Sequence, residues 1–197
     1  GASGAKCFVV VPTRTAAMSL AEYQMVLQRA ADPNADVNKL IGYAAQGDIN
    51  YGPDTKIVYV TGGHMRKKLL SYFSKGNIKP IDFCDVLLTD EVHSGSLDIT
   101  LIISLWMIAA MSQVQVPRLV IASATPVPIH IQPEPVVYTI DLAAYPIEYN
   151  YLQKDIDMDD PNGLLYIETA NLVAKTHRDT NIDSGHILVF APGSSEV

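Results

Sequence analysis

Short apolar runs alternating with helix-spaced segments constrain this chain more than any other feature. Runs rich in Val, Ile and Leu recur at residues 7–11, 56–60, 83–88, 118–122, 136–140 and 186–190. They are mostly continuous, the form taken by strands buried on both faces. Between them, "TAAMSLAEYQMVLQRAA", "MRKKLLSYF", "LDITLIISLWMIAAMSQ" and "GLLYIETANLVAKTH" repeat apolar residues at three- and four-residue intervals, as amphipathic helices do. Strand alternating with helix predicts an α/β fold with a mainly parallel sheet flanked by helices on both faces.

With 197 residues, 48% of them hydrophobic and 18% charged, the chain has enough apolar material for a core without a metal or disulfide staple. Cys7 and Cys84 sit inside apolar runs and read as reduced core thiols of a cytosol-like compartment. The longest apolar run, 101–111, is well short of the roughly 20 residues a membrane helix needs, so no membrane span is expected. "GASGAKCFVVVP" meets Pro12 too soon to be a secretory signal and reads as a chain beginning in mid-architecture. A net charge of -7 argues against nucleic-acid binding mainly through a broad basic surface, and leaves open a narrow site built from backbone amides, hydroxyls and a few arginines.

Parallel sheets bind ligands at the carboxyl ends of their strands, so the polar sets just after the runs are the candidates for function. They are "PTRT", "TGGH", "TDEVH", "SATP" and "APGSS". In "TDEVH", a carboxylate at a strand tip can hold hydrated magnesium against nucleotide phosphates, and a neighbouring one can orient or deprotonate the attacking water. Asp90 fits the first role and Glu91 the second. His93 is spaced to hydrogen-bond toward the next strand end, where Ser123 and Thr125 are suited to bond His93 and Asp90 side by side. The competing reading is an acidic strand-to-helix turn with a solvated histidine. Arg14 suits a bidentate phosphate pair, and Thr61, Gly62 and Gly63 can bring a hydroxyl and backbone amides close to one. "RKK" at 66–68 reads as a solvated helix start. His64, His130, His177 and His186 show no metal-ligand spacing. Four prolines in "PVPIHIQPEP" end the first domain near Tyr145, and the remainder reads as strand, acidic loop, helix and strand.

Taken in order, "PTRTAAMSLAEY", "TGGHM", "DEVH", "SATP" and "ILVFAPGSSEV" resemble motifs Ia, Ib, II, III and IV of the superfamily 2 DExH-box RNA helicases. "IGYAAQGDINYGPDTKIVYVTGG" and "AYPIEYNY" resemble segments of the DEAH/RHA group, while the "DEVH" box and the short intervals resemble compact viral DExH helicases. The resemblance implies a RecA-like domain 1 at residues 1–145, without its phosphate-loop strand and helix, and the beginning of a second RecA-like domain at 146–197. It implies ATP and magnesium as cofactors, with Asp90 and Glu91 serving the metal and the attacking water, and His93, Ser123 and Thr125 coupling hydrolysis to strand movement. It assigns Pro12, Thr13, Arg14, Thr61, Gly62 and Gly63 to the sugar-phosphate backbone of single-stranded RNA, a contact without sequence preference.

The sequence departs from that family in having no GxxxxGK[ST] loop. "GASGAKC" has Ala5 where the glycine before lysine belongs and Cys7 where the serine or threonine belongs, so Lys6 is expected only to open the first strand. The chain also ends before motifs V and VI. With these departures, the resemblance implies an internal fragment of a cytoplasmic ATP-dependent RNA helicase (host-cytoplasmic if viral), expected to be inactive by itself, with RNA and the rest of its own chain as partners. The rival readings are an ATPase-inactive scaffold that binds RNA or protein, and a nucleotide-binding signalling domain on the same fold.

Overall fold

Hydrogen-bonding demand explains the centre of the molecule: β1 (Cys7–Val11), a β-branched run, has strands on both edges and side chains packed on both faces. The computed structural model describes residues 4–74, 77–125, 134–140, 146–152, 155–156, 163–179 and 185–190. Two compact units divide the chain, Gly1–Tyr138 and Thr139–Val197.

In the first unit β1 leads into α1 (Arg14–Ala31), α2 (Val37–Leu40), β2 (Ile41–Ala45), β3 (Asp48–Asn50), β4 (Ile57–Thr61) and α3 (Gly62–Leu70). There follow β5 (Phe73–Ser74), β6 (Asn77–Ile78), β7 (Val86–Thr89), a 3-10 turn (Val92–Ser94), α4 (Leu97–Met111) and β8 (Arg118–Ile121). The main sheet runs β3-β2-β4-β1-β7-β8, with β5 and β6 as a separate antiparallel pair. Every neighbour pair in the main sheet is parallel except β2 and β3.

Helix boundaries follow local chemistry. Thr13 caps α1 by accepting the Ala16 N–H at 3.0 Å. α4 stops where Gln113 turns left-handed at φ 57° and its N–H donates to the Ala110 carbonyl at 3.0 Å. The small residues Ala17 and Ala21 let α1 sit closely on β2 and β4. The main cluster joins Phe8 and Val10 of β1 and Val58 and Val60 of β4 to Met65 and Leu69 of α3 and Ile102 and Trp106 of α4. Trp106 is buried without an orphaned donor because its Nε1–H donates to the Pro117 carbonyl at 2.8 Å, tying α4 to the approach of β8.

Four of the predicted strands and all four predicted helices are present, with edges shifted by at most three residues. The shift is largest at α3, which starts at Gly62 and leaves Phe73 to pair with Ile78 in β5 and β6. The β2–β3 hairpin was not expected as an element: "IGYAAQGDIN" contains Gly, Ala and Asp, poor strand formers, and it is pairing with β4 that makes it sheet. The expected strands at 136–140 and 186–190 are not strands. Val136, Val137 and Tyr138 are 77%, 80% and 85% exposed, and a β-branched run without a partner for its backbone groups has nothing to hold it in a sheet. In the second unit α5 (Leu164–Asp179) is the regular element among the described residues, and none of its residues is buried. Cys84 is buried and Cys7 only partly so, and both are free thiols. Burial pushes the Cys84 thiol up to about 12, so it behaves as a core residue.

Ile102 has no exposed surface and sits in the main cluster. Ile102→Ala removes buried volume that α3 and the sheet cannot refill, and chemical denaturation should report a loss of about 2–5 kcal/mol.

Candidate functional site

The register of the sheet aligns four strand tips. Val11 pairs with Thr61, Val10 with Thr89, and Thr89 with Ile121, so β4, β1, β7 and β8 end side by side. The segments leaving those tips carry "PTRT", "TGGH", "DEVH" and "SAT", and all belong to the first unit. Pro126, which ends "SATP", and residues 191–197, which hold "APGSS", lie outside the described residues.

The "DEVH" and "SAT" segments meet. The Asp90 N–H donates to the Val10 carbonyl at 3.0 Å, fixing the exit of β7 against β1. Glu91 adopts a left-handed backbone at φ 54°, ψ 38°, and its N–H donates to Asp90 Oδ1 at 2.9 Å. That backbone is uncommon for a residue with a side chain and turns the chain into the Val92–Ser94 turn. His93 Nε2 lies 3.0 Å from Glu91 Oε2, and His93 Nδ1 lies 3.2 Å from Ser123 Oγ. The Ser123 hydroxyl donates to the Thr125 carbonyl at 2.6 Å and receives the Thr125 N–H at 3.3 Å. A polar chain therefore runs from Glu91 through His93 to Ser123, joining the tips of two adjacent parallel strands. The expected bond between the Thr125 hydroxyl and Asp90 is not formed, because Thr125 engages Ser123 through its backbone while Asp90 is occupied by the Glu91 amide.

On the other side of β1 lies a cleft of about 650 Å³ lined by Pro12, Arg14, Thr61, Gly62, Gly63 and Asp98, with Val11, Gln46, Ser96 and Ile99. Two helices begin here. At the start of α1 the Thr13 side chain already caps the helix, but at α3 Thr61 makes no capping bond, which leaves the first amides of that helix uncapped by it. Arg14 Nη2 donates to Asp48 Oδ2 at 3.0 Å, an exposed pair that leaves other guanidinium N–H groups free. Arg66 Nε donates to Asp98 Oδ1 at 2.6 Å and ties α3 to α4. Gly62 is required for that approach, since a Cβ there would lie 2.9 Å from the Asp98 Cβ.

Other assignments change. Residues 66–68 are not a solvated helix start: Arg66 pairs with Asp98, and Lys68 Nζ lies 4.7 Å from the Phe83 ring centroid. Lys6 stands at the far end of β1 from the tips, with its Nζ donating to the Gly52 and Pro53 carbonyls. Asp48, Gln46, Ser96 and Asp98 were not expected near the cleft. Each is a single polar residue in a hairpin or at a helix start, without a sequence spacing that marks it.

Asp90 and Glu91 fit a magnesium site of the kind that takes one or two carboxylates and completes its shell with water and phosphate oxygens. No group of three or more metal-ligating side chains occurs among the described residues. No helix among the described residues is long and apolar enough to cross a membrane.

No protein-family profile and no curated protein sequence matches the chain. Among solved structures it is similar to the DExH-box NTPase HrpB of E. coli, with a TM-score of 0.56 and 19% identity over 98% of this chain. It spans 22% of that protein's length. A hypothetical ATP-dependent RNA helicase from Sulfolobus tokodaii aligns over 62% of this chain and 34% of its own, at 23% identity and a TM-score of 0.39. The likeness to the first structure identifies the fold: a partial RecA-like α/β sheet flanked by helices.

His64, in the first turn of α3, has its imidazole pushed below the ordinary value by burial and then by Lys68 and Lys67. The fold therefore favours the neutral ring. This stabilisation is complete above the unfolded value of about 6.5 and is lost as pH falls from there through the lower folded value. Thermal unfolding should shift to lower temperature between pH 7.5 and 5.5, and His64→Gln should flatten that dependence.

Proposed function

We propose that this chain is the nucleotide-hydrolysing and strand-gripping part of an ATP-dependent RNA helicase of the DExH type. The observation that carries the reading is the Glu91–His93–Ser123 chain, which links a carboxylate able to act on water to the tip of the neighbouring strand. A change in what Glu91 bonds is felt at His93 and, through it, at the 123–125 turn.

Asp90 would hold the metal, and Glu91 is placed to orient and deprotonate the attacking water. Magnesium bound with the nucleotide supplies charge neutralisation for the transferred phosphoryl group. The phosphates themselves need a backbone cradle that the sequence does not contain as GxxxxGK[ST], so hydrolysis belongs to a longer chain carrying such a loop. The cleft at Pro12, Arg14, Thr61, Gly62 and Gly63 takes the sugar-phosphate backbone of single-stranded RNA, supported by its guanidinium, its hydroxyl and the uncapped start of α3. Thr13 is already occupied as a cap and contributes through the position of α1. The domain limits of 1–145 and 146–197 belong to the same proposal, with the second segment opening a second RecA-like domain.

In a chain that carries this segment together with a phosphate-binding loop, Glu91→Gln should lower RNA-stimulated NTP hydrolysis by roughly two orders of magnitude or more, the usual contribution of a positioned base. Undiminished turnover removes Glu91 from the mechanism; RNA binding without hydrolysis even in the parent chain supports a scaffold instead. Arg14→Ala should weaken single-stranded RNA binding and its salt dependence together, as measured by filter binding across a salt series.

A further inference from the structure

One carboxylate lines the cleft among the described residues, and it stands where a phosphate-binding surface has least use for negative charge. The other polar groups on the cleft wall are neutral or positive: the Arg14 guanidinium, the Thr61 and Ser96 hydroxyls and the Gln46 amide. Asp98 repels a phosphate placed beside it, so it must face something else that an RNA strand presents. Its position is fixed from two sides. Arg66 Nε–H holds Oδ1 at 2.6 Å, and the glycine at 62 lets the Asp98 stem approach the start of α3 more closely than any side chain there would permit. The second oxygen, Oδ2, is directed at Gly63, where an added Cβ would lie 3.4 Å away, and it receives no donor among the described residues. A fixed carboxylate oxygen with an unused lone pair in a strand-binding cleft is an acceptor for a hydroxyl.

We infer that Asp98 Oδ2 accepts a hydrogen bond from a ribose 2′-hydroxyl of a strand lying in this cleft, and that Asp98 makes the cleft select RNA over DNA. The inference rests on the reading of the cleft as a strand-binding surface. The 2′-hydroxyl is the one group that separates the two backbones, and it can donate. A deoxyribose strand offers Oδ2 no donor at that place, and its phosphates still feel the charge. Asp98 thus acts in both directions, attracting one backbone and penalising the other.

Fluorescence anisotropy on the full 197-residue chain tests this with three strands of one sequence: RNA, DNA, and RNA carrying single 2′-O-methyl substitutions. The unaltered chain should bind RNA about tenfold more tightly than DNA, the scale of one hydrogen bond to a charged acceptor. Loss on methylation should be confined to one or two positions, a result that needs no protein variant. Asp98→Ala should bring the RNA-to-DNA ratio close to one, with DNA binding unchanged or tighter, while Asp98→Asn, which keeps an acceptor oxygen, should retain part of the preference. Binding of both strands with a ratio near one in the unaltered chain, or with a ratio untouched by Asp98→Ala, overturns the inference and leaves the cleft as a strand-binding surface. Binding of neither strand overturns the reading of the cleft and the inference with it.

Discussion

β1 has no free edge, and the rest of the first unit is positioned by that fact. Its pairing with β4 and β7 sets which residues leave the sheet side by side, and a one-residue slip on either edge would exchange the faces of every side chain in the slipped strand. The pairing of Val11 with Thr61 builds the cleft, and the pairing of Val10 with Thr89 brings Asp90 against the end of β1. One central five-residue strand therefore holds two polar sites in fixed relation. Because Phe8 and Val10 are nearly without solvent contact, the register is enforced by packing as much as by hydrogen bonds.

The same strand explains what the sequence disclosed. Continuous apolar runs mark strands buried on both faces, so β1, β4, β7 and β8 were legible, as were the long helices between them. The β2–β3 hairpin escaped because its residues carry little strand preference of their own; β4 supplies the pairing. The runs at 136–140 and 186–190 show the converse, since β-branched composition without a partner strand does not make sheet. The juxtaposition of "DEVH" with Ser123 was legible from motif order, and the structure joins them through His93. What Thr125 does was not, because it engages through its backbone, which no side-chain pattern reveals. Asp48 and Asp98 illustrate a second limit. Their partners, Arg14 and Arg66, lie 34 and 32 positions away, and nothing local to either aspartate announces the contact.

Charge distribution is consistent with this arrangement. The chain is acidic overall, and two of its arginines are paired with aspartates at the cleft margin. An anion in this cleft would meet a few directed donors and no broad basic surface.

Glu91 carries a consequence for the chain's evolution under selection for stability. Its backbone sits in a left-handed conformation that glycine adopts freely and that costs other residues about 1–2 kcal/mol. A glycine at that position would relax the turn and discard the carboxylate. The fold thus keeps a strained residue at the point where β7 gives way to the turn, and the neighbouring bonds to Asp90 and His93 hold it there. Selection for stability alone would be drawn to residue 91 early, so stabilising substitutions should include glycine at this position.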